Sequence, residues 1–91
     1  MDITIKEKTI SLKYSLRAMM MYENITGGTL TPSSLTDVIT FFYCVVLASS
    51  MDYSLQMEQF IDWLDEHPDT LNEFGEWLQV VVTNQNKLKK D

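Results

Sequence analysis

The chain of 91 residues has few of the residues that carry covalent or metal chemistry: one cysteine, one histidine, two prolines and three glycines. The single cysteine, Cys44, excludes an intramolecular disulfide, and its apolar surroundings predict a buried, inert thiol rather than a reactive one. His67 has no nearby histidine or cysteine with which to bind zinc. The spacing supports no Ser-His-Asp or Cys-His arrangement, and Gly27-Gly28 does not follow a strand as a phosphate loop requires. We therefore expect a protein that is not an enzyme, with no metal site and no cofactor.

Positive charge is missing from most of the chain. Residues 18–86 contain ten acidic residues and no lysine or arginine. The basic residues lie at the two ends: residues 1–17 hold four basic and two acidic residues, and residues 87–91 hold three basic residues and one acidic residue. The net charge is −6. An acidic body repels a phosphate backbone, so the sequence argues against nucleic-acid binding.

Long apolar segments are also missing. The longest apolar run, Val38 to Ala48, has about half the length that a bilayer requires. No apolar stretch of the kind found in secretory signals lies in residues 1–17. The sequence therefore predicts a cytoplasmic protein without a membrane partner.

The residues that are present predict a mainly α (α+β) single domain over 1–91. Ile3 and Ile5 alternate with polar residues, as do Ile10 and Leu12, which indicates a β-hairpin over residues 2–13 with its turn between Lys6 and Thr9. A lone hairpin is marginally stable in water, so it needs a surface on which to pack. A bundle of about four helices over residues 15–86, followed by a frayed tail over 87–91, supplies that surface.

Capping and breaking signals divide the helical region. Ser15 caps a first helix that has Leu16, Met19, Met20 and Glu23 along one side and ends at Gly27-Gly28. Ser33 or Ser34 caps a second helix to about Ser50. Its β-branched, apolar middle is also compatible with a strand, and as a helix it must be central in the bundle or covered by a partner.

Two further helices complete the bundle. After a break at Met51 to Tyr53, a third helix runs from Ser54 to Glu66 and is stopped by His67-Pro68. Thr70-Leu71-Asn72-Glu73 matches a capping box and opens the fourth helix. Gly75 inside the fourth helix suggests close helix packing at that point.

Candidate binding residues come from methionine and tryptophan. Met19, Met20 and Met21 cannot all face one way on a helix, so they either fill gaps in the core or present an adaptable binding surface. Trp63 and Trp77 lie at or beside apolar stripes, where they serve either as core or as interface anchors. Seven acidic residues of the third and fourth helices form a solvated face, a partner-facing surface or a metal site: Glu58, Asp62, Asp65, Glu66, Asp69, Glu73 and Glu76.

The order of these features resembles a known family. The hairpin Ile3-Thr-Ile-Lys-Glu-Lys-Thr-Ile-Ser-Leu12 leads directly into Lys13-Tyr14-Ser15-Leu16-Arg17 and a helix that ends in glycine. Helices of the Leu35-Thr-Asp-Val-Ile39 and Phe60-Ile-Asp-Trp-Leu64 types follow, and then an acidic final helix. Over roughly residues 2–82 this layout resembles the tail assembly chaperones of long-tailed bacteriophages and prophages. At the hairpin turn, where Asn-Gly or Asp-Gly is common in the family, Glu7-Lys8 stands in this chain.

The resemblance implies a non-catalytic role in the bacterial cytoplasm. Such chaperones hold the tape measure protein, help to recruit tail tube protein, often form homo-oligomers and leave before the virion is complete. For this chain we expect partner binding through Met19–Met21, Trp63 and Trp77. We expect self-association through Lys6, Lys8, Lys13, Phe41 and Phe42, with the lysines meeting the acidic face of a neighbouring subunit.

An alternative interpretation belongs to a different class. Ten acidic residues without a compensating base over residues 18–86 are also typical of an acidic nucleic-acid mimic that occupies the basic cleft of a DNA-binding protein. A mimic's binding is expected to collapse with added salt, whereas helix binding by a chaperone is expected to survive it.

Overall fold

A computed structural model describes residues 1–28, 34–50 and 55–89, with side chains up to residue 83. The predicted fold class is confirmed, since a two-stranded antiparallel hairpin precedes four helices. The elements are β1 (Asp2–Ile5), β2 (Lys8–Ser11), α1 (Leu16–Thr26), α2 (Leu35–Ser50), α3 (Met57–Glu66) and α4 (Pro68–Lys89).

The hairpin has a tighter turn than the sequence suggested. Ile5 pairs with Lys8, so only Lys6 and Glu7 form the loop. Both have positive φ, 51° and 67°, which is the pattern of a type I′ turn and is unusual for residues other than Gly, Asn or Asp. The alternation of isoleucines sets the register, because Ile3, Ile5 and Ile10 are buried while Thr4 and Thr9 place their hydroxyls 3.1 Å apart on the exposed face.

Side-chain and glycine caps fix α1 and the start of α2. Ser15 Oγ accepts from the Ala18 N–H at 3.2 Å, and Gly27 ends α1 in the left-handed conformation with φ 71°. Of the two serines predicted to cap α2, Ser34 does so, since its Oγ accepts from the Asp37 N–H at 3.2 Å. Ser33 lies outside the described residues, as does the predicted break at Met51 to Tyr53.

The starts of α3 and α4 correct two predictions. The third helix begins at Met57 rather than Ser54, because Gln59 Oε1 accepts from the Gln56 N–H at 3.1 Å and starts the helix there. The fourth begins at Pro68 rather than at the Thr70 capping box. Proline has no N–H and a helical φ, so it suits the first position of a helix.

The end of α4 also differs from the prediction. The helix continues to Lys89, beyond the end at residue 86 that the sequence suggested, so residues 87–89 of the predicted frayed tail are helical. Residues 90–91 lie outside the described part of the chain.

The core is built around α2, and two adjacent phenylalanines serve its two sides. Phe42 stacks on Phe74 of α4 with centroids 4.1 Å apart and meets Phe60 of α3 edge-on at 5.0 Å. Phe41 meets Tyr22 of α1 edge-on at 5.6 Å. The helical interpretation of the apolar run 38–48 and its central position are therefore confirmed.

A hydrogen bond joins the exit of the hairpin to the end of α2. The Lys13 N–H donates to Ser49 Oγ at 2.9 Å. Together with the Tyr22–Phe41 contact, this bond shows that α1 and α2 run antiparallel.

The expected close packing at Gly75 is wrong, since an added Cβ would meet nothing within 4 Å. Among the helices that the structure describes, none combines the length and apolar character needed to cross a membrane.

Candidate functional site

The three consecutive methionines of α1 point in different directions. Met19 and Met21 are half-buried and pack against the core, whereas the side chain of Met20 is 62% exposed. The inner face of α1 consists of Ala18 and Tyr22 rather than the predicted stripe that included Leu16 and Met20. Met19 and Met21 therefore help to fill the core, whereas a binding role for the exposed Met20 stays a prediction.

Several apolar residues of α1 are exposed. Leu16 is 74% exposed and Ile25 is 53% exposed, and both lie on the same helix as Met20. Leu16 and Met20 are four residues apart, as are Met21 and Ile25, so the four residues form two rows. The rows lie about 140° apart around the helix, on either side of Arg17 and Asn24. We call Leu16, Met20, Met21 and Ile25 the α1 face. Arg17 and Asn24 join Met20 and Met21 around a shallow depression of about 450 Å³ in this face.

Trp63 and Trp77 are half-buried and lie on α3 and α4, so the structure does not join them to the methionines in one surface. Trp77 packs at 5.6 Å from Phe74 and mainly completes the core. Trp63 stacks on His67 with centroids 4.6 Å apart. His67 Nδ1 lies 2.9 Å from the Trp63 carbonyl oxygen, which can only accept, so Nδ1 carries the proton.

The predicted self-association residues fall into two groups. Lys6, Lys8 and Lys13 have exposed side chains on the hairpin, and their role in self-association stays a prediction. Phe41 and Phe42 are 1% and 0% exposed. The expectation that these two phenylalanines form a self-association surface is therefore wrong, because α1, α3 and α4 already cover them from both sides of α2.

All seven acidic residues of the cluster on α3 and α4 are exposed. Among the side chains that the structure describes, no group of three or more Asp, Glu, His or Cys residues is placed to hold a metal ion. The cluster is a negatively charged surface that includes Asp62, Asp65 and Glu66 at the C-terminal end of α3.

Cys44 is completely buried in α2. Burial raises the pKa of its thiol to about 11, so the nucleophilic thiolate is scarce near neutral pH. Nearby, the Tyr43 hydroxyl donates to the Leu55 carbonyl oxygen at 2.5 Å, and burial raises the pKa of Tyr43 as well. These groups stabilise the fold and offer no reactive centre.

Sequence reasoning missed Leu16 and Ile25 as surface residues. The available signal was that α1 carries more apolar residues than one face can hold, so some of them must remain on the outside. Leu35 is a further example, 66% exposed at the start of α2.

Comparison of the chain with models of protein families, with curated proteins and with solved structures returned no match in any of the three.

Proposed function

We propose that this protein is a non-enzymatic chaperone that binds an amphipathic helical segment of a client protein on the α1 face. The observation that carries the proposal is the exposure of Leu16 and Met20 on the side of α1 opposite its buried residues, Ala18 and Tyr22. An apolar helix face of this kind suits a partner helix with anchors at three- and four-residue spacing. Methionine adapts to partners of different shape.

The resemblance in sequence layout supports a more specific proposal. In phage tail assembly, the client is the tape measure protein, and the complex helps to recruit tail tube protein. The gene neighbourhood tests this part alone. A large gene for a long helical protein immediately downstream and a tail tube gene upstream are expected. Their absence would remove the phage role and leave the α1 face untouched.

Substitution on the α1 face tests the binding mode. Met20→Gln is expected to weaken binding of a purified tape measure segment by about 10–100-fold, because burying a methionine side chain contributes about 1.5–3 kcal/mol. Glu58→Gln is the matched control, since Glu58 is exposed on α3, outside the α1 face, and the substitution introduces the same side chain. Isothermal titration calorimetry measures both, and equal affinities for the two variants would overturn the proposal.

The exposed acidic surface favours a second candidate function, an acidic mimic of nucleic acid. Salt separates the two candidates. At about 0.5 M salt, where charges are screened beyond a few ångströms, binding on the α1 face is expected to persist and binding of a basic DNA-binding protein is expected to be lost. Met20→Gln would leave the affinity of a mimic unchanged.

A further inference from the structure

In the part of the chain that the structure describes, strand β1 has one edge without a neighbouring strand. The sheet contains two strands, and β2 is the strand that packs beside α2. The Leu12 N–H donates to the Met1 carbonyl at 2.8 Å, and bonded and non-bonded pairs alternate in an antiparallel ladder. Thr4 faces Thr9 in a non-bonded pair and Asp2 faces Ser11 in another, so the backbone N–H and C=O groups of Asp2 and Thr4 point away from β2.

A groove runs along this edge. A cleft of about 530 Å³ lies between β1 and α3, and a second cavity of about 260 Å³ lies between β1 and the start of α4. The two share Thr4, Trp63 and His67 as lining residues. Thr4 and the stacked pair Trp63 and His67 therefore lie where the two cavities meet.

The outward backbone groups of β1 indicate the conformation that a bound segment would adopt. Within the part of the chain that the structure describes, the outward backbone groups of Asp2 and Thr4 have no backbone partner. These groups recur every second residue, which matches an extended strand and not a helix, whose own backbone groups are already bonded. Asp2–Ile5 contains no proline and no bulge, which are two of the devices that proteins use to block such an edge.

The charges around the groove indicate which residues a bound segment should contain. Four carboxylates line it, those of Asp2, Asp62, Glu66 and Glu73, against one lysine, Lys6. A basic segment is therefore attracted and an acidic one repelled. We propose that β1 binds an extended, lysine- or arginine-containing segment of a partner protein as a third strand of the sheet.

The groove shares no residue with the α1 face, so the two surfaces can be tested separately. The probe is a short peptide of alternating lysine and valine, titrated into isotope-labelled protein and followed by NMR. Slowed hydrogen exchange of the Thr4 amide and a shift of the Trp63 indole signal are expected. Met20→Gln should leave both effects unchanged, so failure of the proposed function does not affect this test.

Two variants and one modified peptide make the test specific. Thr4→Pro removes an N–H that the ladder does not use, and is expected to weaken peptide binding at least about tenfold. Thr4→Val keeps this N–H and should bind as the original chain does. A peptide N-methylated at every second residue, on the edge that would face β1, should not bind, which keeps the proposal testable even if Thr4→Pro fails to fold.

Three outcomes would overturn the proposal. The first is equal affinity of the folded Thr4→Pro and Thr4→Val variants for the peptide. The second is a peptide response confined to α1. The third is protection of the Thr4 amide that grows with protein concentration in the absence of peptide, which would show that a second copy of the chain occupies the edge.

Discussion

The two sides of α2 are packed very differently. Toward α3 and α4, Phe42 contacts two fully buried aromatic rings, Phe60 and Phe74. Toward α1, Phe41 meets Tyr22, and Ala18 is the other fully buried residue that α1 contributes. Most of the apolar residues of α1 are instead half-buried or exposed.

This difference separates stability from binding. The side with α3 and α4 buries large rings whose contacts extend from one element to the next, so it is expected to dominate the free energy of unfolding. The side with α1 keeps Leu16, Met20 and Ile25 in solvent, where they contribute little to the isolated chain.

The largest expected effect tests the aromatic side directly. Phe42→Ala should lower the free energy of unfolding by about 3–5 kcal/mol, because it removes the stacked and edge-on ring contacts and leaves a cavity. Met20→Ala should change it by less than about 0.5 kcal/mol. Urea denaturation measures both. Comparable losses in the free energy of unfolding would show that the α1 face contributes to stability, and would contradict the difference between the two sides of α2.

An intermediate effect on the free energy of unfolding is expected at the hairpin turn, where the substitution relieves backbone strain rather than changing packing. Replacing Lys6-Glu7 by Asn-Gly should raise the free energy of unfolding by about 1–2 kcal/mol, since both residues have positive φ and Asn-Gly suits a type I′ turn. The net charge does not change. Thermal unfolding measures the gain, and Lys6→Asn alone should give only part of it. No gain in the double variant would contradict the assigned turn type.

The smallest expected effect compares two glycines on opposite sides of α2. Gly75→Ala in α4 should stabilise the chain by up to about 1 kcal/mol, because the site is helical and an added Cβ meets nothing within 4 Å. Gly27→Ala at the end of α1 should destabilise it by about 1 kcal/mol, since φ is 71°. Chemical denaturation of both variants measures the two signs, and a loss at Gly75 would restore the predicted close packing.

Local signals in the sequence predicted most of the fold. Alternating isoleucines identified the hairpin, and Ser15 and Gly27 marked both ends of α1. The start of α4 was missed because Thr70 and Glu73 match a capping box while Pro68 equally suits a first helical position, and spacing alone does not rank the two.

The candidate surfaces depended more on tertiary structure. The sequence identified Met20 and Trp63 as binding candidates, but it also selected Phe41 and Phe42, which α1, α3 and α4 bury. The groove beside β1 joins residues nearly sixty positions apart, Thr4 and Trp63. Periodicity within one helix or strand carries no information about such a pairing.

The position of Cys44 allows transient opening of the core to be measured through the reactivity of its thiol. The sequence contains no other cysteine, and this thiol is 0% exposed at the centre of α2. A thiol reagent can therefore reach it only when α2 loses its neighbours, so the labelling rate measures how often the core opens. If a bound client holds α1 against α2, this labelling rate falls. The reactivity of Cys44 then reports client binding without any engineered probe.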